Sequence, residues 1–315
     1  MDAADAVPPQ LHPELAALLP RLTALLSPPA REVGVDAARA RFATLLDAGL
    51  AGGPAVPAAD VALAEGLSGR VYRPDDDGGA TVVFLHGGGW TVGSVADYDG
   101  LARRIAARLG TVVLAVEYRR APEHPFPAAV QDAVTATRWA LDHATELGGD
   151  PGRVAVAGDS GGGNLAAVAC QQLRDAGGPQ PAAQLLLYPN VARGADQESV
   201  RAFGHLPFLT LADMGWYTRS YVPRGTDLGD PRISPAEGDL AGLPPALVAT
   251  AGVDPLRDSG RAHVQALRAA GNRAELLELP DMPHGFAHLV ALSPAASAAL
   301  DHVLDRAGTL LAAAG

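Results

Sequence analysis

One serine of this chain stands in a sequence setting that could make it a nucleophile. The segment Val154–Ala166 carries Gly-Asp-Ser-Gly-Gly around Ser160, preceded by residues typical of a buried parallel strand and followed by a helical repeat. A serine on so sharp a turn needs glycine on both sides, here Gly158 and Gly162, because a β-carbon would crowd the neighbouring backbone. The unpaired amides at the start of the helix would face any developing negative charge. We therefore expect Ser160 to act as a nucleophile.

A second glycine cluster could bind negative charge on an oxygen atom. Residues 81–86 predict an apolar strand, which runs directly into a Gly-Gly-Gly-Trp sequence at residues 87–90. A tetrahedral intermediate carries its charge on the former carbonyl oxygen, and backbone N–H groups reach that oxygen only where side chains do not intervene. We expect the amides of Gly88, Gly89 and Gly161 to form this oxyanion hole.

Two neighbours of these glycines have less defined roles in the sequence. Gly87 is a further candidate donor to the oxyanion. His86 precedes the oxyanion hole, and we interpret it as a brace for the loop rather than as a reacting group.

A histidine and an aspartate follow two later predicted strands. Residues 247–252 are typical of a buried strand with Asp254 just beyond its end, and residues 274–279 predict an alternating strand followed by a loop that carries His284. Open α/β sheets bind ligands at the carboxyl ends of their strands, where Ser160 is also expected. We therefore expect His284 to be the base and Asp254 the acid that orients it.

Other acidic and histidine residues near these positions have simpler explanations. Asp258 lies where the next helix begins, and a carboxylate in a first helical turn is favourable without a catalytic role. Asp281 is too close to His284 within one tight loop for its carboxylate to face that ring. We interpret His288 as a solvated histidine, because no Glu or Cys cluster accompanies it to complete a metal site.

Five motifs of this chain follow one another in order across residues 60 to 310. They are HGGGW at 86–90, YRRAPEHPFPAA at 118–129, GDSGG at 158–162, DPLRD at 254–258 and HGF at 284–286. This set resembles the hormone-sensitive-lipase-like branch of the α/β-hydrolases, often called family IV bacterial esterases. The resemblance implies an α/β-hydrolase fold with an eight-stranded, mostly parallel sheet, helices on both faces and a helical cap.

The resemblance also implies an assembly and shows two departures. Members of this branch commonly pair through the strand and helix at the C-terminal edge of the sheet, so we expect a homodimer that uses the edge at residues 275–279. The family usually has Ala where Gly161 stands, and Leu where Arg120 stands. The first departure affects the expected rigidity of the oxyanion hole, and the second changes a packing contact.

The three expected catalytic residues predict a carboxylic ester hydrolase. His284 would remove the proton of Ser160, Ser160 would attack the ester carbonyl, and Asp254 would hold the imidazole. Water would then release the acid from the acyl-enzyme, and we expect short- to medium-chain acyl esters as substrates. An amidase or an acyltransferase would use the same triad and stays an alternative. A non-catalytic small-molecule receptor is a further alternative, which the presence of all three residues disfavours.

The composition excludes several other functions. The 315 residues carry a net charge of −11, and an acidic surface disfavours nucleic acid and anionic membranes as partners. Arginine supplies all 24 basic residues, which excludes P-loop proteins and enzymes that need a lysine amine. The N-terminal residues are acidic where a signal peptide would be basic, and no apolar segment approaches membrane-spanning length. We expect a cytoplasmic protein that acts on a small-molecule ester without a metal or another cofactor and without membrane insertion.

The chain divides into a core and a cap in this interpretation. Residues 1–50 are expected to form the first part of the cap, from helical patterns at 15–26, broken by Pro20, and at 35–49. Residues 51–191 and 226–315 would form the core, and residues 192–225 the second part of the cap. Large apolar residues near the cap and the catalytic edge are the expected walls of the substrate pocket. They are Trp90, Tyr188, Phe203, Phe208, Leu209, Trp216 and Phe286.

Overall fold

An eight-stranded sheet forms the centre of the computed structural model, which describes residues 8, 10–75, 79–192 and 197–313. The strands follow the spatial order β1-β2-β4-β3-β5-β6-β7-β8, and the six from β4 to β8 are parallel, whereas β2 and β1 are antiparallel additions. The predicted eight-stranded, mostly parallel sheet is thus confirmed. The strands are β1 Ala58–Ala64, β2 Leu67–Tyr72, β3 Thr81–Leu85, β4 Val112–Glu117, β5 Val154–Asp159, β6 Ala183–Leu187, β7 Ala246–Val253 and β8 Ala274–Pro283.

Ten α-helices surround this sheet in the described part of the chain. Most of the helices follow a strand, as expected where parallel strands are joined by crossover connections. Those that precede β1, and those between β6 and β7, are additions to that pattern. The helices are α1 Pro13–Leu26, α2 Ala30–Val33, α3 Val35–Gly49, α4 Asp99–Leu109, α5 Ala128–Asp142, α6 Gly161–Asp175, α7 Glu198–Phe203, α8 Leu211–Tyr221, α9 Arg257–Ala269 and α10 Pro294–Ala312.

Alternate side chains of the central strands point into two separate hydrophobic cores. On β3, Val82 and Phe84 belong to a core shared with α1, α4 and α10, whereas Val83 and Leu85 belong to one shared with α5 and α6. Every residue of β3 and β5 is buried, which accounts for the nearly continuous apolar sequence of these strands. The helices therefore cover both faces and leave the carboxyl edge of the sheet to carry chemistry.

The first helix differs from its prediction. The sequence predicts a helical pattern broken at Pro20, but α1 continues through this residue from Pro13 to Leu26. Proline removes one backbone hydrogen bond from the helix interior. The buried face that Leu15, Leu19 and Leu22 form against the core compensates for that loss. The predicted helix at 35–49 is confirmed, because α3 spans Val35–Gly49.

The two helical additions meet each other, since α2 and α8 are in contact. Their assignment to a cap, with boundaries at residues 50, 191 and 225, stays a prediction. None of the helices in the described ranges has both the length and the apolarity needed to cross a membrane.

Candidate active site

Ser160 lies on a strained turn between β5 and α6. Its φ of +52° is in the left-handed region, which side-chain-bearing residues rarely adopt. The turn brings the backbone of α6 so close to β3 that a β-carbon on Gly162 would lie 1.9 Å from the carbonyl oxygen of Leu85. A β-carbon on Gly158 would lie 2.3 Å from the carbonyl oxygen of Gly162. The glycines that flank the serine are therefore a steric requirement of this turn.

The side chains of Ser160, His284 and Asp254 form a continuous hydrogen-bonded chain. His284 Nε2 lies 3.0 Å from Ser160 Oγ, and His284 Nδ1 lies 2.8 Å from Asp254 Oδ2. The other oxygen of Asp254 accepts the backbone N–H of Leu256 at 2.8 Å. Asp254 is fully buried and His284 is 8 % exposed. The arrangement allows His284 to take a proton from the serine while the buried carboxylate fixes the ring.

The alternative acids lie elsewhere. Asp258 accepts the backbone N–H of Ser199 at 2.9 Å and pairs with the guanidinium of Arg257, so it links α9 to α7. Asp281 is part of β8, which continues to Pro283 and is longer than predicted. Neither carboxylate is the one hydrogen-bonded to His284.

The glycine loop after β3 borders the serine. Gly88, Gly89 and Gly161 line the same cavity as Ser160. Gly88 has a φ of +92°, and a β-carbon there would lie 2.2 Å from the carbonyl oxygen of Val92. The further candidate, Gly87, is already engaged, because its N–H donates to Asp159 Oδ1 at 2.7 Å. This contact removes Gly87 from the set of amides that could bind an oxyanion.

His86 is enclosed behind the glycine loop. Its Nδ1 lies 2.8 Å from the carbonyl oxygen of Gly87, its ring stacks on Tyr118 with centroids 4.3 Å apart, and the hydroxyl of Tyr118 donates to the His86 carbonyl at 2.8 Å. Burial lowers the pKa of His86 to about 4, so the ring is neutral near pH 7. These contacts fit a brace for the loop.

His288 contradicts its sequence interpretation as a solvated residue. It is buried, and its Nε2 lies 2.9 Å from Asp159 Oδ2 and 3.1 Å from the hydroxyl of Tyr98. The short 3-10 helix Phe286–His288 turns the ring inward. Sequence reasoning missed the pairing of Asp159 with His288. The available signal was a carboxylate at the end of a fully buried strand, which requires a partner.

A cavity of about 450 Å³ opens above Ser160 and His284, within the range of small-molecule sites. Helices α1 to α3 form one wall, and residues 207–217 form another. Three of the seven predicted pocket residues line it, namely Trp90, Phe208 and Leu209. Much of the remaining apolar lining comes from residues outside this set of seven. These are Leu22, Leu26, Ala38, Phe42, Leu45, Met214, Tyr217, Leu256 and Leu289.

The other four predicted pocket residues lie outside the cavity lining. Tyr188 is buried against His284, with ring centroids 5.0 Å apart, and Phe286 is fully buried behind Tyr188. Phe203 packs in the core beneath the guanidinium of Arg257. Trp216 does not line the cavity, although its ring meets the ring of Tyr217 edge-on.

Tyr217 occupies the position expected of Trp216. It lies three residues after Met214, so both face the cavity from the same side of α8. A β-carbon on Gly89 would lie 2.3 Å from Cγ of Tyr217, so this ring packs directly on the glycine loop.

Within the described residues, no group of three or more His, Cys, Asp or Glu side chains could hold a metal ion.

Comparisons with known proteins agree with the fold described above. The family model of the alpha/beta hydrolase fold matches residues 82–288. The chain is 46% identical to carboxylic ester hydrolase LipN of Mycobacterium tuberculosis, over 76% of this chain and 66% of that protein. It is 43% identical to carboxylesterase NlhH of the same species, over 73% and 74% of the two chains. The solved structure of a hyperthermophilic esterase from the archaeon Pyrobaculum calidifontis superposes with a TM-score of 0.90 at 37% identity, covering 97% of this chain and 99% of that one.

Proposed function

We propose that this chain, a carboxylic ester hydrolase that belongs to the hormone-sensitive-lipase-like branch of the α/β-hydrolases, cleaves short- to medium-chain acyl esters through an acyl-enzyme on Ser160. The observation that carries the proposal is the unbroken hydrogen-bonded chain from Asp254 through His284 to Ser160. It ends beside a glycine loop at the floor of an apolar cavity.

The proposed reaction passes through two tetrahedral intermediates. His284 Nε2 accepts the proton of Ser160 Oγ as that oxygen attacks the ester carbonyl. The amides of Gly88, Gly89 and Gly161 bind the resulting oxyanion. The intermediate collapses as His284 returns the proton to the departing alcohol, which leaves the acyl group on Ser160.

Water completes the cycle in the same site. His284 takes a proton from water, the hydroxide attacks the acyl-enzyme, and the acid departs as Ser160 regains its proton. Asp254 stays ionised, holds the ring tautomer and stabilises the imidazolium formed in each half-reaction. The ester and one water molecule are therefore the only reactants, and the alcohol and the acid are the products.

Replacement of the serine tests the proposal directly. Ser160→Ala should lower kcat on p-nitrophenyl butyrate by a factor on the order of a million, because no acyl-enzyme can form. Ser220→Ala is the matched control, since that hydroxyl donates to the Trp216 carbonyl within α8 and does not line the cavity. An organophosphate should label Ser160 with one equivalent. Retention of more than a few per cent of activity in Ser160→Ala, or labelling of another serine, would refute the assignment.

The cavity walls support a preference for short to medium acyl chains. Each buried methylene contributes about 0.8 kcal/mol, so kcat/KM should rise from acetyl toward butyryl or hexanoyl esters and fall once the cavity is filled. Phe208→Ala should move this optimum to longer chains. Trp139→Ala should leave the optimum unchanged, because Trp139 stacks on His143 at the end of α5 and does not line the cavity. An optimum at twelve carbons or more would show that the acyl group binds elsewhere.

The matched amide distinguishes the closest rival reaction. A butyryl anilide should turn over far more slowly than the butyryl ester, and added alcohol should compete poorly with water for the acyl-enzyme. A reversed order in either assay would favour the amidase or acyltransferase alternative. The cytoplasmic location and the homodimer stay predictions; β8, the expected pairing strand, is the terminal strand of the sheet.

A further inference from the structure

The glycine loop beside Ser160 is held at both of its ends. At the N-terminal end, the N–H of Gly87 donates to the buried carboxylate of Asp159 at 2.7 Å. At the C-terminal end, the carbonyl oxygen of Thr91 accepts from Arg39 Nε at 3.0 Å. Arg39 lies 52 residues before Thr91 in the chain. It belongs to α3, which precedes the strands of the sheet.

Arg39 makes several further hydrogen bonds that fix the position of its guanidinium. Its guanidinium also donates to the carbonyl oxygen of Ala121 at 3.0 Å and to both carboxylate oxygens of Glu123 at 2.7 Å. The hydrogen bonds from Arg39 lower the pKa of Glu123 to about 2, so the pair is ionised at neutral pH. Ala121 in turn donates its N–H to the carbonyl of Trp90. The arginine therefore joins three residues, Thr91, Ala121 and Glu123, around the end of the loop.

The same helix reaches the other end of the loop through a ring contact. Phe42 lies one turn after Arg39 and meets the ring of His288 edge-on, with centroids 5.7 Å apart at 89°. His288 Nε2 lies 2.9 Å from Asp159 Oδ2, and Asp159 receives the N–H of Gly87. One face of α3 thus holds both ends of the glycine loop. Arg39 contacts the C-terminal end directly, and Phe42 reaches the N-terminal end through His288 and Asp159.

We infer that α3 positions the oxyanion hole, with Arg39 and His288 as positioning residues that keep the amides of Gly88 and Gly89 aimed at the reacting carbonyl. The inference rests on the proposed oxyanion hole. It assigns to Arg39 and His288 a role in the chemical step, although neither residue touches the reacting atoms. Phe42 also lines the cavity, so the helix that holds the loop also forms part of the cavity wall.

The arginine contact is tested by comparing two variants of similar structural cost. Arg39→Ala should lower kcat on p-nitrophenyl acetate about tenfold and leave KM within about twofold, because a displaced loop weakens transition-state binding more than substrate binding. Arg104→Ala is the control: Arg104 is 25% exposed against 22% for Arg39, and it bonds Ser297 and Asp301 between α4 and α10. Its kcat should stay at the wild-type value. Arg39→Lys should recover part of the loss.

The histidine contact supplies an independent test. His288→Gln retains a side-chain N–H for Asp159 and should keep kcat within about threefold of wild type, whereas His288→Leu should lose about tenfold or more. If His288→Leu does not fold, the Arg39 series decides alone. Arg39→Met, which keeps most of the side-chain stem, replaces Arg39→Ala if that variant is unstable.

The outcomes separate this inference from the proposed function. Inactive Ser160→Ala together with equal kcat in the Arg39→Ala and Arg104→Ala variants would overturn the inference and leave the nucleophile assigned. Loss expressed only in KM would overturn it as well, because that result indicates a substrate contact. Active Ser160→Ala would instead overturn the proposed function on which the inference rests.

Discussion

Two histidines four residues apart, His284 and His288, each pair with a buried carboxylate, and the two pairs differ in what they can do. His284 Nδ1 is 2.8 Å from Asp254, and His288 Nε2 is 2.9 Å from Asp159. Both carboxylates are fully buried, and both rings are less than one-tenth exposed. Burial and an acidic partner are therefore common to the two pairs and do not distinguish a base from a brace.

The difference lies in which ring nitrogen meets the carboxylate. His284 uses Nδ1, which leaves Nε2 directed at the hydroxyl of Ser160 on its strained turn. His288 uses Nε2 for Asp159, and the hydroxyl of Tyr98 approaches the same atom. A buried histidine–carboxylate pair can serve as a general base only when its second nitrogen faces a group that can give up a proton.

Asp254→Asn should have the largest effect on this comparison. The amide can present its N–H₂ to His284 and so favour the wrong ring tautomer, which lowers kcat by a factor on the order of a thousand to ten thousand. The measurement is kcat on p-nitrophenyl butyrate together with the midpoint of urea unfolding, which should change far less. Asp258→Asn is the matched control. If that variant lost more activity than Asp254→Asn, the assignment of the acid would be wrong.

Asp159→Asn should show the opposite pattern, with a clear loss of stability and a smaller loss of activity. It replaces the carboxylate oxygen that His288 and Tyr98 contact with an amide N–H₂ in a fully buried network, and leaving buried polar groups without a partner costs about 1–3 kcal/mol. The asparagine carbonyl can still accept the N–H of Gly87, so kcat should fall only about tenfold. Urea unfolding and kcat measured on the same preparation check this. A thousandfold loss of kcat without loss of stability would mean that the second pair takes part in proton transfer.

The sequence contains enough information to place the first pair near the serine. Ser160, Asp254 and His284 each follow a strand whose apolar sequence is legible, and parallel strands bring their carboxyl ends to one edge. The sheet could be predicted for the same reason, since β3 and β5 are buried along their whole length and mostly apolar. His288 could not be interpreted correctly, because a 3-10 turn of three residues decides whether it faces solvent or Asp159.

The cavity walls were predicted less well for a related reason. Trp216 and Tyr217 are adjacent aromatic residues on α8, and only the second lines the cavity. Which of them faces inward depends on the rotation of α8 against α2 and the glycine loop, and that rotation is set by packing between distant segments. Phe42 and Leu45 were missed likewise, because the position of α3 depends on contacts such as that of Arg39 with Thr91.

His263 is a buried histidine without a carboxylate partner, and it contrasts with the two pairs. The effect expected from its replacement is the smallest of those predicted. Burial lowers the pKa of His263 on α9 to about 4, and neither ring nitrogen has a hydrogen-bond partner within the residues that the structure describes. Between the unfolded value of about 6.5 and the folded value, the unfolded chain binds a proton that the native protein does not. The free energy of unfolding therefore decreases as the pH falls through this window.

His263→Leu should remove that loss of stability at low pH. Relative to wild type, the variant should gain about 2 kcal/mol more at pH 5 than at pH 8, because at pH 8 the histidine is neutral in both states. Urea unfolding at the two pH values measures the difference. His302→Leu on the exposed side of α10 is the control and should show no such change. If the gain of His263→Leu were equal at both pH values, the cost of this histidine would lie in its packing rather than in its protonation.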